Sequence, residues 1–189
     1  WRNVLLCSAL CITTIICQLS TAMPTRLLLV RHVGRQDFVD ESWSGKAHNP
    51  YDPPMVVEDG LVSARKLGTY LNRRGISHVY SSPFIRCLQT AQSASEVIDH
   101  IYDIVPEPGL AEFLHEILYP EAYEDETIWA PSNMAKTLCD YLDDNAWAIA
   151  NPTHPETIRQ FHERCAATVK EIATRCAGTT TLLVTHASV

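Results

Sequence analysis

Two stretches decide the fold: RLLLVR (Arg26–Arg31), followed directly by His32, and TTTLLVT (Thr179–Thr185), followed directly by His186. Each is a short apolar or β-branched run without helical periodicity, the pattern of a strand buried in a sheet. Working outward from the first, Leu61, Ala64, Leu67 and Leu71 recur at three- and four-residue steps, with Gly75 after them. That spacing predicts an amphipathic helix over 59–74 with a glycine stop. His78–Ser81 reads as a second strand, and Pro83 is expected to open a helix running to about Ile98, proline being favoured in a first helical turn. Asp103–Val105 reads as a third strand. Glu112–Pro131 is aromatic and acidic without a clean period, so a lid-like insertion is expected at about 112–131. Ile158, Phe161, Cys165, Val169, Ile172 and Cys176 mark a long helix over 155–177, ended by Gly178. Strands alternating with helices predict an α/β fold: a three-layer αβα sandwich around a mostly parallel sheet.

The chain has 189 residues and a net charge of −7, with no run of Lys or Arg. An acidic body of this kind is a poor partner for a phosphate backbone, so no nucleic acid is expected. Hydrophobic content of 46% and charged content of 20% suit a packed domain and exclude a disordered one. Cys87, Cys139, Cys165 and Cys176 show neither metal nor disulfide-framework spacing. There is no P-loop and no GxGxxG, so neither metal nor cofactor is expected.

Residues 1–22 form an apolar leader whose single charge is Arg2. Ser20 and Ala22 before Met23 fit a signal-peptide cleavage site. The leading Trp1 fits spurious upstream sequence instead, with Met23 as the start of a cytoplasmic protein. The uncharged run is long enough to cross a bilayer, but the first strand follows after about four residues, so no stable span is expected. After Met23 the chain lacks a usable Asn-x-Ser/Thr acceptor, which favours the cytoplasm over secretion.

Ligands in an open α/β sheet gather at the carboxyl ends of the strands. There the sequence delivers Arg31, His32 and Arg35, then Ser81, Ser82 and Arg86, then Thr185, His186 and Ala187. Three guanidinium forks around a compact site suit a phosphate dianion. Neighbouring cations keep an imidazole neutral and able to attack phosphorus, giving a phosphohistidine. The leaving oxygen then needs a carboxyl group, and Glu112 is the candidate acid. Each residue also has a plainer reading. Arg31 and Arg35 would pair with Asp37 or Asp40, Arg86 would lie on an exposed first turn, and Glu112 would belong to an acidic loop. Tyr119, Tyr123 and Trp129 suit either a substrate pocket or packing of the lid.

The blocks RHVGRQD (31–37), YDPP (51–54), YSSPFIRCLQTA (80–91), VPEPGLAEF (105–113) and LLVTHAS (182–188) resemble the histidine phosphatase, or phosphoglycerate mutase-like, superfamily. Within it they are most similar to the branch of the suppressors of T-cell receptor signalling and ecdysteroid-phosphate phosphatase. The resemblance covers residues 23–189. It implies that His32 accepts the phosphoryl group, that Arg31, Arg35, Arg86 and His186 hold the phosphate, and that Glu112 is the acid. The implied activity is metal-independent hydrolysis of a phosphomonoester, either phosphotyrosine in a protein or a small hydrophobic ester, by an enzyme that could form a homodimer. Phosphoglycerate mutase chemistry and a catalytically weak phospho-ligand adaptor are the alternatives.

The sequence departs from the family pattern where Val33 replaces the glycine after the first histidine. A β-branched residue there is expected to crowd the phosphate or strain the loop, by about 1–3 kcal/mol. MVVEDG (55–60) is one residue longer than the usual block and lacks its threonine. The chain stops three residues past His186, so the family's last helix and strand are expected to be missing.

Overall fold

The structure is a computed structural model that describes residues 12–17, 24–43, 52–98, 103–117 and 149–189. Its strands are β1 (Ile12–Cys17), β2 (Thr25–Arg31), β3 (Ile76–Ser81), β4 (Ile104–Pro106) and β5 (Thr180–Thr185); its helices are α1 (Val57–Leu71), α2 (Ile85–Ser95) and α3 (Ile158–Arg175). The sheet order is β1-β2-β5-β3-β4. β2, β5, β3 and β4 are mutually parallel, and β1 runs antiparallel along β2 at one edge, from Ile12 opposite Val30 to Cys17 opposite Thr25. That edge strand lies inside the apolar leader, where no strand was expected. Among the described residues no helix is long and apolar enough to cross a membrane.

The order of the strands explains the layers. The chain passes from β2 over the place of β5 to β3, then on to β4, and α3 carries it back to insert β5 between β2 and β3. Because parallel crossovers are right-handed, reversing direction puts the returning helix on the other face. Side chains on the strands alternate accordingly. Leu28, Val30, Val79, Leu182 and Val184 pack with Leu67 and Leu71 of α1 and Cys87 and Ala91 of α2. Leu27 and Leu183 point the opposite way, into a cluster with Ile172 of α3, Cys176 and Leu110. This is the expected αβα sandwich.

Helix ends differ from the sequence reading by a few residues, each for a local reason. α1 starts at Val57, earlier than expected, and ends at Leu71 because Arg73 (φ 70°) and Gly75 (φ 64°) turn the chain left-handed. Pro83 lies just outside α2, whose N-cap is Phe84. α3 starts at Ile158 behind a capping box in which Thr157 and Gln160 satisfy each other's backbone N–H groups. Of the expected lid, residues 112–117 are irregular and the rest, with Tyr119, Tyr123 and Trp129, lies outside the described residues.

α1 and α2 approach so closely at Gly68 that a Cβ there would meet the Ala94 carbonyl oxygen at 2.1 Å. Gly68→Ala is therefore expected to destabilise the fold by roughly 1–3 kcal/mol, seen as a lowered denaturation midpoint.

Candidate active site

His32, Ser82 and His186 each sit one position past a strand end, and the adjacency of β2, β5 and β3 brings those ends together. The His32 N–H bonds the Thr185 carbonyl (2.9 Å), and the Ser82 N–H bonds the Val184 carbonyl (2.8 Å). The His32 and His186 rings meet edge to face with centroids 5.3 Å apart. Donor atoms of His32, His186 and Glu112 all lie within 4.8 Å of one another. Two imidazoles and a carboxylate are also a donor set for a divalent ion. Here Arg86, with its Nη2 2.8 Å from Glu112 and 3.2 Å from His186 Nδ1, places a guanidinium cation against two of the three.

Arg86 is on the first turn of α2 yet wholly buried, which overturns the exposed-turn reading. Its Nη1 lies 3.3 Å from Asp52, and its guanidinium stacks on Phe84 at 4.5 Å. Both Asp52 oxygens also accept from the Ile85 N–H, at 3.0 and 3.1 Å, so one carboxylate caps α2 and neutralises its arginine. Thr90, one turn on, donates to the Arg86 carbonyl (2.7 Å) and accepts from the Val33 N–H (3.2 Å); Gln89 accepts from the Met55 N–H. The RCLQT portion of its block is thus a face that ties α2 to the segments bearing His32 and Asp52.

Protonation follows from the partners. His32 Nδ1 is 2.7 Å from the Val33 carbonyl oxygen. A carbonyl only accepts, so Nδ1 carries the proton and Nε2 presents its lone pair. Burial, then the charges of Arg86 and His186, push His32 down to about 3, so it is neutral at pH 7. Burial likewise pushes His186 down to about 4, although Glu112 pulls the other way. Burial would raise Glu112, but the hydrogen bond and charge of His186, the charge of Arg86 and the Ser188 hydroxyl (3.0 Å) hold it well below the usual carboxylate range. His186 Nδ1 lies 3.2 Å from both Arg86 Nη2 and a Glu112 carboxylate oxygen, and its Nε2 shares a hydrogen bond with the Ser82 hydroxyl at 2.8 Å. Asp52 is pushed up to about 6 by burial.

The remaining predicted residues divide. Arg35 is half-buried and bidentate to Asp37 (2.9 and 2.6 Å), the surface pairing that the sequence also allowed, while its charge reaches Asp52 and His186. Arg31 is exposed and, with Thr185, His186 and Ala187, lines a cavity of about 470 Å³ beside α3; no hydrogen bond joins it to the cluster among the described residues. The positive patch expected from the sequence is therefore largely neutralised from within: Asp37 faces Arg35, and Asp52 and Glu112 face Arg86. Sequence reasoning assigned no role to Asp52, Ser82, Thr90 or Ser188. The signal was present in their blocks, DPP, SSP, RCLQT and HAS, but their partners are distant in sequence.

Val33 neither crowds the site nor strains the loop. It has no left-handed backbone; among non-glycine residues only Arg73 has positive φ within the described chain. Its side chain is buried with Met55, Ala64 and Leu61, away from the histidines, and Gly60 is the small neighbour that admits it (3.3 Å to a Cβ built there). The expected steric penalty is corrected: the valine methyls belong to the packing of α1.

Residues 27–189 match the profile of the histidine phosphatase superfamily (branch 1), and the chain belongs to this family. Similar solved structures include the ecdysone phosphate phosphatase of Bombix mori in complex with tungstate (20% identity, TM-score 0.61, covering 85% of this chain and 72% of that one). YhfR of Bacillus stearothermophilus (23%, TM-score 0.59, 87% and 75%) and the phosphoglycerate mutase of Bacillus anthracis str. Sterne (22%, TM-score 0.57, 87% and 76%) share the same fold. No curated protein matches the chain.

Two outcomes are expected. Val33→Ala should cost about 1–3 kcal/mol of stability, read by urea denaturation, because its methyls fill the packing against α1. The second concerns pH. An unfolded imidazole binds its proton near 6.5, whereas native His32 refuses it until about 3. The unfolded state therefore binds more protons in that window, and His32 makes stability fall as pH drops from 6.5. Urea midpoints between pH 7 and 4 should show a shallower decline in His32→Gln than in the parent.

Proposed function

We propose that this chain is a metal-independent phosphomonoester hydrolase working through a phosphohistidine at His32. The observation that carries the reading is the free Nε2 lone pair of a neutral, buried His32, held against His186, Arg86 and Glu112 at adjoining strand ends. In the proposed reaction the phosphate dianion takes the Arg86 guanidinium and the His186 imidazole, with Arg35 and Arg31 as further cations. His32 Nε2 attacks phosphorus in line; the N–P bond forms as the ester P–O bond breaks.

The leaving oxygen takes a proton from Glu112. That requires Glu112 to leave Arg86, with which it pairs at 2.8 Å, and an incoming dianion supplies both the displacement and the like charge that raises a carboxyl pKa. Water then attacks the phosphohistidine, giving its proton to the Glu112 carboxylate and releasing His32 as neutral imidazole. The exchange favours a compact dianion, and the family resemblance makes phosphotyrosine or a small hydrophobic phosphate ester the proposed substrate. Cys87, Cys165 and Cys176 are buried free thiols, which supports a cytoplasmic setting.

An alkaline denaturing quench during turnover of a labelled aryl phosphate tests the mechanism. The parent protein is expected to retain label that survives base and is released by acid. His32→Ala should retain none and lose on the order of 1,000-fold or more in hydrolysis. Label persisting in His32→Ala would overturn the assignment of the nucleophile.

A further inference from the structure

The loop that carries Glu112 is held from beneath by a buried ion pair that none of the reaction steps uses. Arg164, on α3, is buried and donates to four backbone carbonyls in succession: Pro108 (3.4 Å), Gly109 (2.9 Å) and Ala111 (3.2 Å) through Nη1, and Glu112 (3.2 Å) through Nη2. The missing carbonyl in that series, Leu110, accepts from the Thr185 hydroxyl (2.7 Å) at the end of β5. Arg164 is itself fixed by Glu156, through Nη2 (2.5 Å) and Nε (3.1 Å), and stacks on Phe161 (5.3 Å). Glu156 also binds the far end of the loop, its carboxylate accepting from the Leu114 N–H and its own N–H donating to the Leu114 carbonyl, both at 3.1 Å. The loop rests so closely on α3 that a Cβ at Gly109 would meet Thr168 Oγ1 at 2.0 Å.

A fork that gives Nη1 and part of Nη2 to one loop while Nε and the rest of Nη2 are held by Glu156 fixes the loop's height and rotation above α3 to within a hydrogen-bond tolerance. A lysine ammonium is a point charge and cannot span the same carbonyls. The Glu112 carboxylate is attached to the last residue in this clamp, so its distance from His32 and His186 depends on it. We infer that Arg164 and Glu156 are positioning residues for the proposed acid, setting the reach of Glu112 to the leaving oxygen; this rests on the reading of Glu112 as the proton donor.

The test uses the dependence of proton donation on the leaving group. 4-Nitrophenolate leaves with little help, whereas an alkoxide needs the proton. Arg164→Lys and Glu156→Gln are compared with Glu112→Gln in hydrolysing 4-nitrophenyl phosphate and a simple alkyl phosphate, with circular dichroism to verify folding. Both positioning variants are expected to lose on the order of 100-fold in kcat on the alkyl ester and only about twofold on the nitrophenyl ester. Glu112→Gln should show the same selectivity, and Arg164→Lys combined with it should be no worse than Glu112→Gln alone. Equal losses on both esters by a folded variant, or additive losses in the double variant, would overturn the inference. If Arg164→Lys does not fold, Glu156→Gln decides by the same ratio. Failure of the underlying mechanism shows differently: Glu112→Gln itself would then lack leaving-group selectivity, whatever the Arg164 variant does.

Discussion

A guanidinium with no exposed surface must find its counter-charges inside the protein, and Arg86 is such a group. Stripping a cation of water costs several kcal/mol even after relaxation, so an isolated Arg86 would not remain at the base of the sheet edge. Asp52 and Glu112 compensate it from two sides, and each reaches it from a different part of the chain. Asp52 comes from the DPP turn and at the same time caps the helix on which Arg86 stands; Glu112 comes from the loop after β4. Much of the site's geometry follows from meeting this one requirement. In the proposed reaction the same pairing would make oxyanion binding an exchange of anions, because the Glu112 carboxylate already bonds Arg86.

Topology makes that arrangement possible. Inserting the last strand between the first and second parallel strands sets His186 beside His32 and Ser82. The reversal that achieves this also places α3 on the face opposite α1 and α2. The two sides of the sheet then contribute differently: α2 presents the cation, and α3 supports the loop bearing the carboxylate. The Thr185 hydroxyl, bonded to Leu110, joins the two at the end of β5.

The departure at Val33 shows how packing absorbs a change in a motif. The backbone around His32 keeps the carbonyl that fixes the imidazole proton, because any residue supplies a carbonyl. The added side chain goes to α1, where Gly60 and Ala64 leave room for it. What a glycine permits by having no Cβ, this chain achieves by directing the Cβ into the core.

The αβα order was legible because strand and helix periods are local properties of the chain. The runs at 26–31 and 179–185 and the helical stripe at 155–177 each state their own structure. His32, His186 and Arg86 were legible as candidates because strand ends are where such sheets hold ligands, and Glu112 because the leaving oxygen needs an acid. Other features depend on contacts across the fold: Arg86 meets residues 26 to 100 positions away, and Arg164 grips carbonyls 52 to 56 positions away. The antiparallel strand at 12–17, and the choice between Asp37 and a common site for Arg35, which the sequence left open, were likewise settled by the tertiary structure. Sequence determined by itself which residues stand at the strand ends. Only the folded chain decided which charges those residues meet there, because in a buried site the state of each group is set by its neighbours in space.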